Sequence, residues 1–135
     1  MSSASIKVAA AVILNENHEC LLALRPAHKH QGGLWEFPGG KLEPGETAFQ
    51  ALARELQEEL NLTVSSAEPL LITSHSYADK EVMLDVWVVR DFSGEPAGME
   101  GQKLGWFSFD HLRALDFPAA NLPIIDALKN LLQVK

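Results

Sequence analysis

The sequence predicts a single α/β domain, residues 1–135, in which helices cover a mixed β-sheet. The length of 135 residues suits one ordinary domain, and 47% apolar residues are enough to build a packed core. Short apolar runs of strand length alternate with helix patterns, without repeats or linkers between them. Some strand candidates follow one another directly as hairpins instead of strict βαβ units, which favours a mixed sheet between helices.

Five segments have the length and composition of β-strands. The first is a continuous apolar run, "IKVAAAVIL", followed by the turn "NENH" and a second apolar run, and this order predicts a hairpin. The segment "EVMLDVWVVRDF" alternates in part, with Val82, Leu84, Val86 and Val88 on one side. In chain order, the strand candidates are residues 6–14, 19–25, 68–77, 81–92 and 104–109.

Two amphipathic helices are predicted among these strands. In the first helix, Thr47 and Gln50 have the spacing of a capping box, and Asn61 suits a left-handed helix end. The second helix begins around Asn121, and a short third helix is predicted near residues 109–115. The core-facing residues are Phe49, Leu52, Ala53, Leu56 and Leu60 in the first helix, and Ile124, Ile125, Leu128, Leu131 and Leu132 in the second.

Charge and composition argue against several classes of partner. The formal net charge is −7, so the long-range field repels nucleic acids and anionic membranes, and a phosphorylated substrate needs a local cation. The N-terminal residues lack a signal-peptide pattern, and no apolar stretch approaches the roughly 20 residues of a membrane span. The single cysteine, Cys20, is predicted to be a buried thiol. We therefore expect a soluble cytoplasmic protein that binds neither nucleic acid nor membranes.

The segment "RELQEEL" places Glu55, Glu58 and Glu59 on one stripe of the first helix. A solvated helix face is one interpretation, although like charges three or four positions apart slightly destabilise a helix. A cation site is the other, because Mg²⁺ binds a few carboxylates and keeps positions for water and phosphate. The preceding "FPGGKLEPGE" favours the cation site, since Gly39 and Gly40 let the backbone approach a ligand closely.

A longer pattern around this helix resembles the signature of the Nudix hydrolases. It consists of Gly40, Glu46 after five residues, "RELQEE" at residues 54–59, and Leu62. Asn61 stands where the family usually has glycine, but asparagine is the next-best residue for the left-handed conformation. The resemblance implies a Nudix α/β/α sandwich with a mixed β-sheet. It also implies that Glu46 supports the loop through hydrogen bonds or a salt bridge.

The resemblance extends to most of the chain. "LWEFPGGKLEPGET", "GEPAGMEGQ" and "DFPAAN" are similar to the branch of the family that hydrolyses oxidised guanine nucleotides and so protects the nucleotide pool from mutagenic precursors. The implied reaction converts 8-oxo-dGTP and water into 8-oxo-dGMP and pyrophosphate in a monomeric enzyme, with Mg²⁺ or, as a substitute, Mn²⁺. The alternatives are a pyrophosphatase for CTP, another dNTP or a nucleotide sugar, and a nucleotide-binding sensor without turnover.

The resemblance also implies roles for the acidic residues. Glu55 would bind metal or act as general base, oriented by Arg54, and Glu58 would contribute to catalysis as a metal ligand. Glu100 is either an exposed loop acid or, as the family implies, a further metal ligand and the second candidate base. Spacing leaves the choice of base open. The implied metal ligands are Gly39, Glu55, Glu58, Glu59 and Glu100.

A second set of residues is implied in nucleotide binding. Arg25 ends the second strand, where it is either a surface arginine or a contact for phosphate or base. Phe37 and Tyr77 suit packing against a base, although Phe37 also suits a protein core. The implied substrate-binding residues are Arg25, His30, Glu36, Phe37, Pro38, Gly39, Tyr77 and Asn121.

Asn121 has two explanations in the sequence. It directly precedes a helix with Pro123 in the first turn, so it suits the N-cap position. Alternatively, its carboxamide can accept a hydrogen bond from N7–H of 8-oxoguanine and donate one to O6, whereas guanine carries no hydrogen on N7. An unpaired buried polar group costs about 1–3 kcal/mol, which predicts roughly tenfold to hundredfold discrimination against guanine.

Overall fold

The computed structural model describes residues 4–25 and 33–133. All five predicted strands and the three predicted helices are present, and two short strands around the glycine loop are added. The predicted helix near residues 109–115 is shorter than expected. In chain order the elements are β1 (Ala4–Ile13), β2 (Cys20–Leu24), β3 (Trp35–Glu36), β4 (Gly39–Lys41), α1 (Ala48–Leu60), β5 (Thr63–Tyr77), β6 (Lys80–Ser93), β7 (Lys103–Phe107), α2 (Phe109–Leu112), a 3₁₀ turn (Ala119–Asn121) and α3 (Leu122–Gln133).

The strands form two sheets, of which the larger is mixed. Its strand order is β4-β1-β6-β5, with β1 parallel to β6 and the other pairs antiparallel. The smaller sheet has the order β3-β2-β7 and is antiparallel throughout. The predicted α/β class with a mixed sheet is therefore confirmed.

The predicted hairpin between the first two strands is wrong. β1 has β4 on one edge and β6 on the other, so neither edge is left for β2. β2 pairs in the smaller sheet instead, and within the described residues it meets the end of β1 through a single bridge between Leu14 and Cys20. The turn after β1 was identified correctly, but its chemistry does not determine whether the strands it joins remain paired.

β1 is buried on both faces, which explains its continuous apolar sequence. Alternate residues face opposite layers: Ala9, Ala11 and Ile13 pack in the cluster that contains α1, and Ala10, Val12 and Leu14 pack in the cluster that contains α3. On β2, Cys20 is 1% exposed, and burial raises the pKa of its thiol to about 12. It is a core residue, as predicted.

Local signals fix both ends of α1. The Thr47 side chain accepts from the Gln50 N–H at 3.1 Å, and the Gln50 side chain accepts from the Thr47 N–H at 2.9 Å, which completes the predicted capping box. Asn61 ends the helix in the left-handed conformation, with φ of 61°. Leu52, Leu56 and Leu60 are buried as predicted.

The buried surface of α1 extends beyond its predicted apolar stripe. Ala51, which is about 100° around the helix from Leu52, is also fully buried, whereas Ala53 is only half-buried. Ala51 packs in the buried cluster that α1 shares with β1.

α3 begins one residue after the predicted start and packs on the opposite face of the mixed sheet. Ile124 and Leu128 are buried, and Ile125, Leu131 and Leu132 pack against them, as predicted. Among the helices in the described part of the chain, none combines the length and apolar character that a membrane crossing requires.

Candidate active site

One cleft of about 490 Å³ is lined by residues of both sheets. Apolar lining residues come from β1, β2 and β6 among others, and polar lining groups come from strand ends, loops and the last turn of α1. Three of the five predicted metal ligands, Gly39, Glu59 and Glu100, therefore line the same cleft as predicted nucleotide contacts, whereas Glu55 and Glu58 do not line it. The predicted residues that line it are Arg25, Glu36, Phe37, Gly39, Glu59, Tyr77, Glu100 and Asn121.

The glycine pair at the start of β4 permits two close approaches. Gly39 has φ of +155° and pairs with Ala10, and a Cβ atom on Gly39 would overlap the carbonyl oxygen of Ala9. A Cβ atom on Gly40 would overlap the carboxylate of Glu55. A larger residue at position 39 would push the loop away from β1, and one at position 40 would displace the carboxylate of Glu55.

Arg54 is the centre of an ion-pair network on α1. Its Nε and Nη2 donate to the two carboxylate oxygens of Glu46 at 2.7 and 3.0 Å. Its Nη1 donates to Oε2 of Glu55 at 3.1 Å and to Oε1 of Glu58 at 3.2 Å. Nη2 also donates to the carbonyl oxygen of Lys41 at 3.0 Å. One guanidinium thus ties the glycine loop to two of the predicted metal ligands.

Glu46 supports the loop, as predicted. Besides Arg54, its Oε1 accepts a hydrogen bond from the backbone N–H of Glu43 at 2.8 Å. The hydrogen bonds from Arg54, and then the one from Glu43, hold the pKa of Glu46 below its usual value. The carboxylate is therefore charged at neutral pH and committed to its own loop and to Arg54.

Glu59 faces the cleft from the last turn of α1. Burial raises the pKa of Glu59 to about 9, and its hydrogen bond with Glu55 and the negative charges of Glu55, Glu100 and Glu36 add to the rise. Without a metal ion, the site therefore holds a proton on Glu59 near neutral pH. A cation that binds the carboxylate would displace this proton.

The pKa of Glu59 predicts a pH-dependent stability. Between the unfolded value of about 4.3 and the folded value of about 9, the folded protein holds a proton that the unfolded chain has released. The stability that neutral Glu59 contributes is complete below the lower pKa and is lost as the pH rises through the higher one. We expect metal-free Glu59→Gln to melt at a higher temperature than the unchanged protein at pH 8, by about 3 °C or more.

Thermal unfolding with a chelator from pH 5 to pH 8.5 measures this effect. The gap between the melting temperatures of Glu59→Gln and the unchanged protein should widen with pH and narrow when Mg²⁺ is added. Glu16→Gln, in the exposed turn after β1, serves as the control and should show no widening gap. A constant gap across this pH range would contradict the prediction.

The donor types in this region fit a hard divalent cation. Mg²⁺ prefers oxygen ligands, which the carbonyl of Gly39 and the side chains of the acid cluster supply; we define the acid cluster as Glu55, Glu58, Glu59 and Glu100. In the described residues, however, no three carboxylate, histidine or cysteine side chains converge in a group that holds a metal. Two of the four carboxylates, those of Glu55 and Glu58, are instead paired with Arg54. A cation would have to compete with its guanidinium.

The residues predicted to bind the nucleotide surround the rest of the cleft. Nη1 of Arg25 is 3.2 Å from Oε1 of Glu36, and both side chains are about one-third exposed. Phe37 is buried and stacks on Phe117 at 5.5 Å between ring centroids, so it belongs to both the core and the cleft lining. The ring of Tyr77 makes an edge contact with His75.

Asn121 directly precedes α3, as the N-cap interpretation requires, but its side chain makes no capping hydrogen bond within the described residues. Asn121 is the last residue of the 3₁₀ turn, and its backbone N–H donates to the carbonyl of Pro118 at 2.9 Å. Its half-buried side chain lines the cleft and makes no hydrogen bond to another residue of the described part of the chain. The carboxamide is thus available to a ligand.

Two predicted contacts remain, of which Pro38 is described but is not among the residues that line the cleft. His30 lies outside the described residues. Pro38 is buried, and its carbonyl accepts a hydrogen bond from the N–H of Ala11 at 2.8 Å. Pro38 therefore positions the glycine loop against β1.

Three further residues with polar side chains line the cleft and were not predicted as site residues: Lys41, Lys80 and Gln102. Lys41 directly follows the glycine pair, and Gln102 ends the segment "GEPAGMEGQ", so both lie in motifs that the sequence already singled out. Lys80 follows a tight turn between two strands, where nothing in the sequence distinguishes it from a surface lysine.

The chain belongs to the Nudix family. Its sequence matches the NUDIX domain over residues 9–127, and this match includes the glycine loop, α1 and Asn121. The family resemblance predicted from the sequence is therefore confirmed. Nudix hydrolases generally need divalent metal ions, which agrees with the donor types of the acid cluster.

Relatives with assigned names cover nearly the whole chain. An 8-oxo-dGTP diphosphatase of Escherichia coli is 42% identical over 126 residues, which are 93% of this chain and 98% of the relative. A CTP pyrophosphohydrolase of the same organism is 38% identical over 122 residues, which are 90% of each protein. A solved structure of MutT, from work on the Aliivibrio salmonicida and Vibrio cholerae proteins, superposes with a TM-score of 0.82 at 37% identity, covering 94% of this chain and 98% of the other.

Proposed function

We propose that this protein is a Mg²⁺-dependent nucleoside triphosphate pyrophosphohydrolase that converts 8-oxo-dGTP and water into 8-oxo-dGMP and pyrophosphate. The observation that carries the proposal is one cleft lined by Glu59, Glu100 and Asn121, whose carboxamide makes no hydrogen bond to another described residue. The diphosphatase relative supports the choice of substrate. The proposal includes Mn²⁺ as a substitute ion, a monomeric enzyme, and action in the cytoplasm on the nucleotide pool.

The residues of the cleft divide the proposed reaction between them. Water attacks a phosphorus atom of the anhydride, the bond between the α- and β-phosphates breaks, and a carboxylate takes the proton. Divalent ions, when bound, supply positive charge for the phosphate oxygens. Gly39 and the acid cluster would hold them, and Arg54 would orient Glu55. Arg25 would contact the nucleotide, so it supplies the local cation that an acidic protein needs.

Two carboxylates are candidates for the base, and their surroundings differ. Glu55 is held by Arg54 and is hydrogen-bonded to Glu59, so both of its neighbours restrain its orientation. Glu100 lines the cleft, and its carboxylate has no hydrogen bond or ion pair with another described residue. Glu55 therefore suits a fixed ligand or base, and Glu100 suits a base that adjusts to the bound substrate.

A nucleotide panel tests the proposed function. Release of pyrophosphate should require Mg²⁺ or Mn²⁺, and kcat/KM for 8-oxo-dGTP should exceed that for dGTP and CTP by at least about tenfold. The CTP pyrophosphohydrolase relative makes CTP the second candidate substrate. A higher kcat/KM for CTP than for 8-oxo-dGTP would therefore identify CTP as the preferred substrate. The absence of metal-dependent hydrolysis of any nucleotide would refute both candidates.

Asn121→Ala should reduce the preference for the oxidised base. We expect the ratio of kcat/KM for 8-oxo-dGTP to that for dGTP to fall by about 10- to 100-fold, because the variant loses the acceptor for N7–H and the donor to O6. Asn130→Ala, an exposed position on α3, is the matched control and should leave the ratio unchanged. If both variants retain the ratio of the unchanged protein, Asn121 does not read the base.

A further inference from the structure

The segment that carries Glu100 is bound to the C-terminal end of α1. The last carbonyls of a helix have no partner within the helix, so neighbouring groups must satisfy them. Here the N–H groups of Ala97 and Met99 donate to the carbonyls of Leu60 and Glu59, each at 3.0 Å. The loop backbone thereby follows the last turn of the helix and brings Glu100 to the cleft.

The side chain of Gln102 joins the same two backbone positions directly. Its Oε1 accepts a hydrogen bond from the N–H of Glu100 at 2.9 Å. Its Nε2 donates to the carbonyl of Glu59 at 3.3 Å. Both ends of one carboxamide are therefore used, and together they fix the backbone of Glu100 relative to that of Glu59. These are the two members of the acid cluster that line the cleft.

The backbone around Gln102 is packed closely enough to keep this arrangement in place. A Cβ atom on Gly98 would overlap the carbonyl oxygen of Gln102, so only glycine fits at position 98 without a shift. The N–H of Gly101 donates to the carbonyl of Gly98 at 2.9 Å and closes the turn between them. A half-buried amide in such a loop has little freedom to exchange its partners for water.

We propose that Gln102 is a positioning residue that sets the separation of the Glu59 and Glu100 carboxylates for a shared divalent ion. This inference rests on the proposed function, since it assigns both carboxylates to the same ion. The side chain of Gln102 takes no part in the reaction. Its carboxamide bridges the N–H of Glu100 and the carbonyl of Glu59. Groups that orient metal ligands typically change metal affinity or activity by about 10- to 100-fold when they are removed.

Gln102→Met keeps the length of the side chain but removes both hydrogen bonds. Gln57→Met is the matched control, because Gln57 lies on the same last turn of α1, is exposed, and bonds only Asn61 and Thr63 among the described residues. Gln102→Glu keeps the acceptor for the Glu100 N–H and loses the donor to the Glu59 carbonyl. This second variant carries the test if the methionine variant fails to fold.

The readout is Mn²⁺ binding to the nucleotide-free protein, measured by electron paramagnetic resonance. Gln102→Met should weaken Mn²⁺ affinity by about tenfold or more, Gln102→Glu by less, and Gln57→Met by less than about twofold. In assays, the Mg²⁺ concentration for half-maximal rate should rise with Gln102→Met, while the nucleotide KM at saturating Mg²⁺ changes less than about threefold.

Mn²⁺ affinity of Gln102→Met within twofold of the Gln57→Met control would overturn the inference, whatever happens to its melting temperature. That result would make Gln102 a support of the loop alone. The outcome is separate from that of the proposed function, because Mn²⁺ binding requires no turnover and the nucleotide panel uses the unchanged protein.

Discussion

Glu59→Gln should reduce kcat for the proposed hydrolysis by at least about a hundredfold while nucleotide affinity changes by less than about threefold. The carboxamide retains the size of the side chain and can still hydrogen-bond to Glu55, but it cannot carry the negative charge that a cation requires. Because Glu59 lines the cleft beside Glu100, this charge lies where the phosphates of a bound nucleotide are expected.

Single-turnover rates and titration with a non-hydrolysable nucleotide separate the two effects. Glu58→Gln, at the preceding position of α1, should also reduce hydrolysis by orders of magnitude with a far smaller change in nucleotide affinity. The control Glu16→Gln should change neither the rate of hydrolysis nor the nucleotide affinity. Equal losses of rate and affinity in the two helix variants would undermine their assigned role. Unchanged turnover in both would favour the alternative of a nucleotide-binding sensor.

Glu59→Gln is informative because activity and stability should change in opposite directions. A residue that serves only the fold loses stability when it is altered, and activity falls with it. Here the metal-free protein should become more stable at pH 8, because the variant no longer has to keep a carboxyl protonated among Glu55, Glu100 and Glu36. Functional sites commonly retain clustered carboxyl groups that lower the stability of the fold, because catalysis requires them.

The elements that the sequence predicts well are those whose signals are local. The capping box at Thr47 and the left-handed end at Asn61 each lie within a few residues, and both are present in the structure. The continuous apolar run of β1 predicts a strand because a two-sided burial needs apolar residues at every position.

Pairing between strands was harder to predict, because it depends on competition among distant segments. The turn at residues 15–18 suggested a hairpin, but β4 and β6, which both come later in the chain, take the two edges of β1. The short strands β3 and β4 carry no periodicity of their own. β4 forms because Gly39 fits against the backbone of Ala9 in β1, whereas β3 forms by pairing with β2 in the smaller sheet.

The same distinction applies to the candidate site. Helical spacing alone placed Glu55, Glu58 and Glu59 on one stripe, whereas the place of Glu100 came only from family resemblance. Gln102 lies 43 positions from its partner Glu59, so no local pattern reveals their hydrogen bond. Periodicity also could not show that Arg54 would bind two of the glutamates, since this depends on where the glycine loop packs.

Arg54→Lys should lower kcat by about 10- to 100-fold, although it preserves the positive charge. Lysine presents a single ammonium on a flexible stem, so it cannot reproduce the fork to Glu46 or serve Glu55 and the Lys41 carbonyl at the same time. The carboxylate of Glu55 would then lose the donor that fixes it beside Gly40. Nucleotide affinity should change less than kcat, because Arg54 is not among the residues that line the cleft.

Arg113→Lys is the matched control for this variant, because Arg113 is an exposed arginine that pairs with Asp110 three positions away and should tolerate the change. Steady-state kinetics at saturating Mg²⁺ measure the effect, and raising Mg²⁺ further should not restore the rate, since the loss lies in orientation and not in occupancy. Full restoration by Mg²⁺ would instead show that Arg54 acts on metal affinity alone. If Arg54→Lys is as active as the unchanged protein, the glutamates require only the positive charge and not the forked geometry of the guanidinium. The five donors of the guanidinium would then serve only to hold the loop.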